Sequence, residues 1–397
     1  INFKYTPYVF DGIYVQKYHI SMKKIIFKKF NSDVTGFFLI SGLSITLIIW
    51  TIQAVNFLDI ISEDGHGFKV YFLYTFLNYP KIVSRILPFV FFISLFYVIT
   101  KYEDENQLSI YWNHGINKLL FIKNIFYFSI IFLIIQMLIA LFIVPYSQDK
   151  SRSYIRSSGI DFLPNLMKER KFIDTVSNLT IYIDKIDSNN EYTNIILKDK
   201  LGDNKSQIIY AKKGTLSKQD NNFYLILNNG EIINLNADRI DRFSFERTTF
   251  NISKFSTKTT VYPKIQERQT LLLLSCINQL QNKDINKKNS VDMICEDNSL
   301  KPIKRELFKR IISPFFIPAI ALLVSILILK DRHQINYRFF KIKIFVITFL
   351  TLFATEISKS LVGISTNIDY IALLLPFIII ISIYIFILPI SAFGDKV

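Results

Sequence analysis

Cysteine is nearly absent from the chain. Cys276 and Cys295 are its two, and no CxxC or Cys/His spacing surrounds them, so a structural metal centre is excluded as the organising feature. Histidine is as sparse: His19, His66, His114 and His333 are scattered without metal-ligand spacing. No GxxxxGK(S/T) run occurs, so the chain does not cradle a nucleotide's phosphates in the P-loop manner. No GxSxG elbow occurs either, which removes a common hydrolase arrangement. These absences read as a chain that is not an enzyme, with no cofactor and no metal. Glycine is scarce, at 12 residues, while Phe and Tyr number 37 and 21; this suits an A+T-rich coding sequence, so positions carry more information than frequencies.

What the chain has is apolar length. Half of it is hydrophobic and the mean hydropathy is +0.29 despite a polar middle third, so part of it is solvated by lipid. A helix needs about 20 apolar residues to cross the hydrocarbon core. Val34–Leu58 supplies one span. Phe68–Tyr79 and Phe89–Thr100, interrupted by Lys81, Arg85 and Pro88, read as a second, kinked one. Asn124–Gln148, Ile311–Leu329, Ile344–Leu361 and Tyr370–Phe393 complete six. The net charge of +15 collects at the edges of these segments, where Lys and Arg meet lipid headgroups; nucleic acid is not the expected partner.

Orientation follows from the short loops. One side receives Lys23, Lys24, Lys28, Lys29, Lys101, Lys118, Lys123, Lys330, Arg332, Arg338, Lys341, Lys343 and Lys396; the other receives Lys69, Lys81, Arg85 and Lys359. The richer side is cytoplasmic, which places both termini there. Between helices three and four the character changes. Leu179–Ile183, Ile195–Leu197, Ile208–Ala211, Phe223–Leu227, Glu231–Leu235 and Phe243–Phe245 are short strand-like runs, with hairpin signals at Asn229-Gly230 and near Gly202-Asp203. Strands at this spacing make a sandwich or jelly roll. The expected fold is therefore a membrane α-helical protein, six transmembrane helices in a 3+3 order, with an inserted periplasmic β domain, a sandwich or a β-jellyroll.

The expected layout is as follows. Residues 1–21 precede Met22, the first conventional start, and read as an extension without function. Residues 22–150 carry helices one to three, with a cytoplasmic segment at 101–120. Residues 151–303 form the β-jellyroll and a helical return, and 304–397 carry helices four to six.

This layout resembles the LptF/LptG permease family, also called YjgP/YjgQ, membrane subunits that extract lipopolysaccharide from the inner membrane. Local residues agree in order along the chain. Ile49-Trp50-Thr51-Ile52-Gln53 with Phe57-Leu58-Asp59 is similar to the end of the first helix in LptF-type subunits, which favours that type. Tyr102 to Gly115 resembles the family's cytoplasmic segment, and Glu306-Leu307-Phe308-Lys309-Arg310 with Pro314 resembles its start of helix four. The Leu179–Ile183 strand, Gly214–Leu216 and Thr249–Ile252 are similar to its jelly-roll strands.

The resemblance implies a non-catalytic subunit of an ABC transporter in a Gram-negative inner membrane. Its partners would be a cytoplasmic LptB-like ABC ATPase dimer, a homologous LptG-like permease, a periplasmic LptC-like jellyroll bridge and lipopolysaccharide itself. Glu103, Glu105, Gln107 and Gly115 would carry ATPase coupling; Gln107 stands where the family commonly has the coupling Glu. Lys81, Arg85, Arg305, Lys309 and Arg310 would bind the lipid headgroup, which would explain cations accumulating at the outer side; snorkelling of the same side chains to the interface explains that accumulation equally. Glu356 and Lys359, three residues apart, read as an intramembrane ion pair. Two other classes fit a membrane chain with an outer domain: a sensor or scaffold with a periplasmic ligand-binding domain, and a lipoprotein-release permease. A sensor usually appends a cytoplasmic output domain and a lipoprotein permease places its domain after helix one, so the three-plus-three order argues against both.

Overall fold

The computed structural model describes residues 10–62, 67–157, 167–176, 178–187, 191–202, 205–219, 222–236, 239–252, 264–281, 300–330 and 336–394. Asp203, residues 282–299 of the expected helical return and, among them, Cys295 lie outside the described residues. The chain divides into two compact units: Ile1–Ile49, Pro80–Pro145 and Arg268–Val397 form one, Trp50–Tyr79 and Tyr146–Glu267 the other.

The first unit is helical. α1 (Phe10–Asn56) leads from it into the second unit, where α2 (Asp59–Ser62) and α3 (Phe68–Leu77) follow. α4 (Tyr79–Asp104), α5 (Gln107–Asn113) and α6 (Lys118–Leu138) return to the first unit; α6 runs through a π-helical turn, Ile139–Ile143, into α7 (Val144–Ser157). After the sheet come α8 (Thr270–Gln281) and α9 (Leu300–Leu307). A second π-helical turn (Phe308–Ile312) and a 3-10 turn (Ser313–Phe315) then lead into α10 (Phe316–Ser325). α11 (Tyr337–Leu361) and α12 (Thr366–Gly394) close the chain.

α10 is the axis of this unit. Its sequence FIPAIALLVS is apolar all round, every one of its residues is buried, and it packs against α6, α11 and α12. Phe91, Phe92, Leu95, Phe121 and Ile125 from α4 and α6 join the same core, with Phe30 and Val34 from α1. The outward faces are as apolar as the core. Leu39, Ile40, Leu43, Leu47 and Ile48 on α1, Leu350, Phe353 and Ile357 on α11, and Ile371, Ile378, Ile381 and Ile385 on α12 are all exposed. Stripes of this extent suit a hydrocarbon solvent, in which helices satisfy every backbone group internally.

Five helical stretches among the described residues are long and apolar enough to cross a membrane: Lys24–Asn56, Phe68–Asp104, Lys118–Ile155, Leu300–Leu329 and Thr366–Ile387. The sequence reading expects six; α11, which holds Lys341, Lys343, Glu356 and Lys359, is the helix that does not join this set. The interruption expected around Lys81 to Pro88 lies earlier. Pro88 sits inside α4, and the break falls at Asn78, whose side-chain amide donates to the Tyr74 carbonyl at 2.8 Å, just before Pro80 removes an N–H.

In the second unit, six strands pair in sequence order as one antiparallel sheet: β1 (Phe172–Val176), β2 (Leu179–Ile186), β3 (Glu191–Gly202), β4 (Lys205–Gln219), β5 (Asn222–Asn236) and β6 (Arg239–Asn251). One face buries Leu179, Ile181, Ile183, Ile195, Leu197, Ile209, Leu225 and Leu227, the alternation a half-buried strand requires.

Asn229-Gly230 does not form the expected hairpin; it lies in mid-β5. Asp184, Asn194, Lys212, Asn229 and Glu246 are aligned across β2 to β6, and the ladder skips this row at every strand pair, resuming in the same register on either side. Asn194 and Asn229 take left-handed φ of 51°. The same conformational freedom that makes Asn-Gly a turn signal here creases a whole sheet.

Candidate functional site

The first unit holds a cavity of about 440 Å3. α4 presents Lys81, Ser84, Arg85, Pro88 and Phe89 to it, three to four residues apart on one helical face. The α6 side adds Gln136, Ala140 and Val144; α9 and the turn after it add Glu306, Lys309, Arg310 and Ser313; α11 adds Leu352, Thr355, Glu356, Lys359 and Ser360. Two walls contain the π-helical turns Ile139–Ile143 and Phe308–Ile312, which pack against each other. A π-turn inserts one residue into the helix and re-aims the side chains around it, which is how Lys309 and Arg310 reach the same space as Ala140.

The walls carry five cations, Lys81, Arg85, Lys309, Arg310 and Lys359, against the two carboxylates Glu306 and Glu356. Lys359 binds Glu356 at 2.7 Å, the pair expected from their spacing. Lys309 approaches Glu306 at 3.6 Å. Arg310 is 1 % exposed, and its guanidinium is spent on fixed partners: Glu306 Oε1 at 2.9 Å, the Arg268 carbonyl at 2.9 Å and Thr270 Oγ1 at 3.0 Å. Thr270 in turn donates to the Leu141 carbonyl at 2.9 Å, so this network ties α8 and the second π-turn to the first. With its partners fixed, Arg310 stabilises the wall, and Lys81, Arg85 and Lys309 add further positive charge to the same lining.

Of the five expected headgroup residues, Arg305 is the one that does not line the cavity. It donates to the Val362 carbonyl at 3.0 Å and to the Ser360 carbonyl, capping the C-terminal end of α11. Beside it Lys304 binds Asp369 at 2.8 Å, and Asp369 accepts the Gly363 N–H, so these groups brace the turn from α11 to α12.

Gln136 is a cavity residue that the sequence reading passed over. Its Nε2 donates to the Ser84 carbonyl at 2.7 Å and lies 3.2 Å from Ser84 Oγ. Its Oε1 is buried and accepts no hydrogen bond. The available signal was that it is the one amide in the apolar run Ile125–Ile143.

At the other end of α4 lie the expected coupling residues. Asn106, at φ 55°, ends α4 and starts α5, and Gly115, at φ 66°, ends the turn after it. α5 buries Leu108 and Tyr111 and exposes Ser109 and Ile110. Its seat is aromatic: Tyr111 packs edge-on against Phe121 at 5.0 Å, and Phe30 packs between Tyr102 and Phe121. The Tyr102 hydroxyl donates to Asp33 at 2.6 Å and the Tyr111 hydroxyl to the Ile26 carbonyl at 3.2 Å. Burial pushes the Tyr111 phenol up to about 12, opposed by a hydrogen bond with Tyr102 and helped to a smaller extent by the Asp33 charge. Glu105 accepts from Gln107 at 2.6 Å and Asp104 binds Lys341 of α11 at 3.0 Å. Thus Glu103, Glu105, Gln107 and Gly115 fall on one short structured segment, with Glu105 exposed.

Apolar-faced helices long enough to cross a membrane, in a chain that also folds a six-stranded antiparallel sheet, define a multi-pass membrane protein with an inserted β domain. Residues 30–389 match the family described as lipopolysaccharide export system permease LptF/LptG, and the chain belongs to that family. It is also similar to the uncharacterized protein RP871 of Rickettsia prowazekii (strain Madrid E), with 23 % identity over 308 residues, covering 75 % of this chain and 80 % of that protein. Family and helices together make it a lipopolysaccharide transport permease of the inner membrane.

Proposed function

We propose that the chain is the membrane-embedded permease subunit of an ABC transporter that extracts lipopolysaccharide from the inner membrane and passes it to a periplasmic bridge. A cytoplasmic LptB-like ATPase dimer hydrolyses the ATP, a homologous LptG-like subunit completes the permease, and an LptC-like protein receives the lipid. Both termini face the cytoplasm, α11 serves as the sixth span in a 3+3 order, and the creased sheet works as a periplasmic jelly roll.

The observation that carries this reading is the cavity. Its apolar surroundings suit acyl chains, and Lys81, Arg85 and Lys309 suit the phosphates of a glycolipid headgroup, with Arg305 and Arg310 holding the surrounding turns. Glu356 and Lys359 contribute a paired, nearly neutral patch on α11. At the opposite end, α5 with Glu103, Glu105 and Gln107, hinged at Asn106 and Gly115, forms the short helix that an ATPase groove would hold.

ATP binding moves the permease only through contacts that differ between its open and closed states. The Asp104–Lys341 pair gives α5's neighbour a direct link to α11, whose far end walls the cavity. Photo-crosslinkers placed at positions 81, 85 and 309 are expected to give lipopolysaccharide adducts in the assembled transporter. No adduct at any of the three would remove the headgroup assignment.

A further inference from the structure

A glutamine side chain buried in a membrane helix is costly, and one whose carbonyl oxygen accepts nothing is costlier still. Leaving a buried acceptor unpaired forfeits its hydration without recompense. Gln136 is 6 % exposed, and its Oε1 has no partner. Its amide is not free to turn and find one. The Nε2 is held by the Ser84 carbonyl at 2.7 Å and lies 3.2 Å from Ser84 Oγ, and exchanging N and O would set the amide oxygen against that carbonyl. The orphan oxygen is therefore fixed in place, and it belongs to a residue that lines the cavity.

Ser84 sets the level at which it stands. It is flanked on the same face of α4 by Lys81, three residues before, and Arg85, one after. Gln136 and those cations line the same cavity, and its acceptor has no partner within the protein. Unsatisfied buried polar atoms are rare in native structures and point to a missing partner.

We infer that Gln136 is a specificity residue of the cavity: its Oε1 accepts a hydrogen bond from a hydroxyl or amide N–H of a phosphorylated glycolipid headgroup whose phosphate is held by Lys81 and Arg85. The inference rests on the headgroup reading of the cavity given above and adds to it the second half of the recognition. Cations alone select for negative charge and accept any phospholipid monoester. An acceptor beside them selects the anion that also brings a donor, because a ligand without one leaves Gln136 orphaned and gains nothing there.

The test uses the whole transporter in nanodiscs and two probes: lipid A, which carries phosphate together with hydroxyl and amide donors, and dioleoylphosphatidic acid, which carries phosphate on an ester-linked glycerol lacking both. Binding is read by native mass spectrometry or a fluorescent competitor for wild type, Gln136→Leu and Gln136→Asn. Wild type is expected to prefer lipid A. Gln136→Leu is expected to weaken lipid A by roughly tenfold, the worth of a well-made buried hydrogen bond, while leaving phosphatidic acid unchanged. Gln136→Asn, shorter but still an acceptor, is expected to fall between.

The thermal stability of Gln136→Leu in detergent is expected to fall modestly, because the Ser84 carbonyl, left without a helical donor by Pro88, loses the Nε2–H as well. Unchanged phosphatidic acid binding then shows that the cavity is intact. An equal loss for both probes, or no loss for either, would overturn the inference and leave a water as the partner of Oε1. Failure of wild type to bind either probe would instead overturn the headgroup reading itself.

Discussion

Single residues in this chain are explained by what their surroundings forbid. Gly230 sits in mid-strand because a Cβ there would fall on the Tyr210 carbonyl oxygen and stand 2.6 Å from the Phe245 ring. The sequence announces Asn229-Gly230 plainly, but a dipeptide states only the local dihedral, and whether that dihedral reverses a chain or creases a sheet is decided by strands far away. Tyr111 is the converse case, unremarkable in sequence and anchoring in the structure. Its phenol titrates near 12 in the fold and near 10 when the chain is unfolded, so the neutral form is the one the fold favours. Its contribution to stability is therefore full below about pH 10, where both states keep the proton, and is lost as pH rises through about 12. Unfolding measured from pH 9 upward should show this decline in wild type and a smaller one in Tyr111→Phe; identical slopes would mean that the aromatic seat of α5 does not sense the ionisation.

Elements were legible where a single helix face or strand alternation decides them, and illegible where packing does. The apolar runs of α1, α4, α6 and α12 stand out from the sequence because lipid demands uninterrupted hydrophobicity. The π-turns Ile139–Ile143 and Phe308–Ile312 do not, since their residues are as apolar or as basic as their neighbours and only the opposing helix selects the wider turn. For that reason Lys309 and Arg310 could be picked out from sequence as outer-side cations, while their division of labour, one offered to the cavity and the other spent on Glu306, Arg268 and Thr270, could not. Arg305 was grouped with them by sequence proximity, yet its place in α9 turns it to the Val362 and Ser360 carbonyls instead.

α5 makes a prediction at this scale. Its buried face, Leu108 and Tyr111, fixes it to the bundle independently of the acidic and amide side chains beside it. Replacing Glu103, Glu105 and Gln107 together by Ala should abolish ATPase copurification while leaving insertion and the yield of folded permease unchanged. Unchanged copurification would take α5 out of the coupling mechanism.

For the whole molecule, the decisive question is which side of the membrane receives the sheet. The sheet's exposed face is polar enough for water on either side, so β1 to β6 do not answer it. The flanking segments do bear on it. Cys276, in α8 just after the sheet, is disulfide-bonded, and disulfides persist in the periplasm while the cytosol reduces them. Lys and Arg near the short loops accumulate at the opposite end of the helices, where lysines such as Lys118, Lys330 and Lys341 meet the carbonyls and rings of neighbouring helices. The proposed topology, with residues 167–281 outside and the α5 end inside, draws on both features.

In spheroplasts with an intact inner membrane, added protease should therefore cut the loops of the sheet and spare α5. A membrane-impermeant maleimide should label Cys276 only after a reductant has been supplied from outside. Labelling without reductant would remove the disulfide from the argument, and protection of the sheet from protease would reverse the orientation. Cutting at α5 from outside would also put Glu103, Glu105 and Gln107 out of reach of a cytoplasmic ATPase, so the same digestion tests the proposed coupling and the topology together.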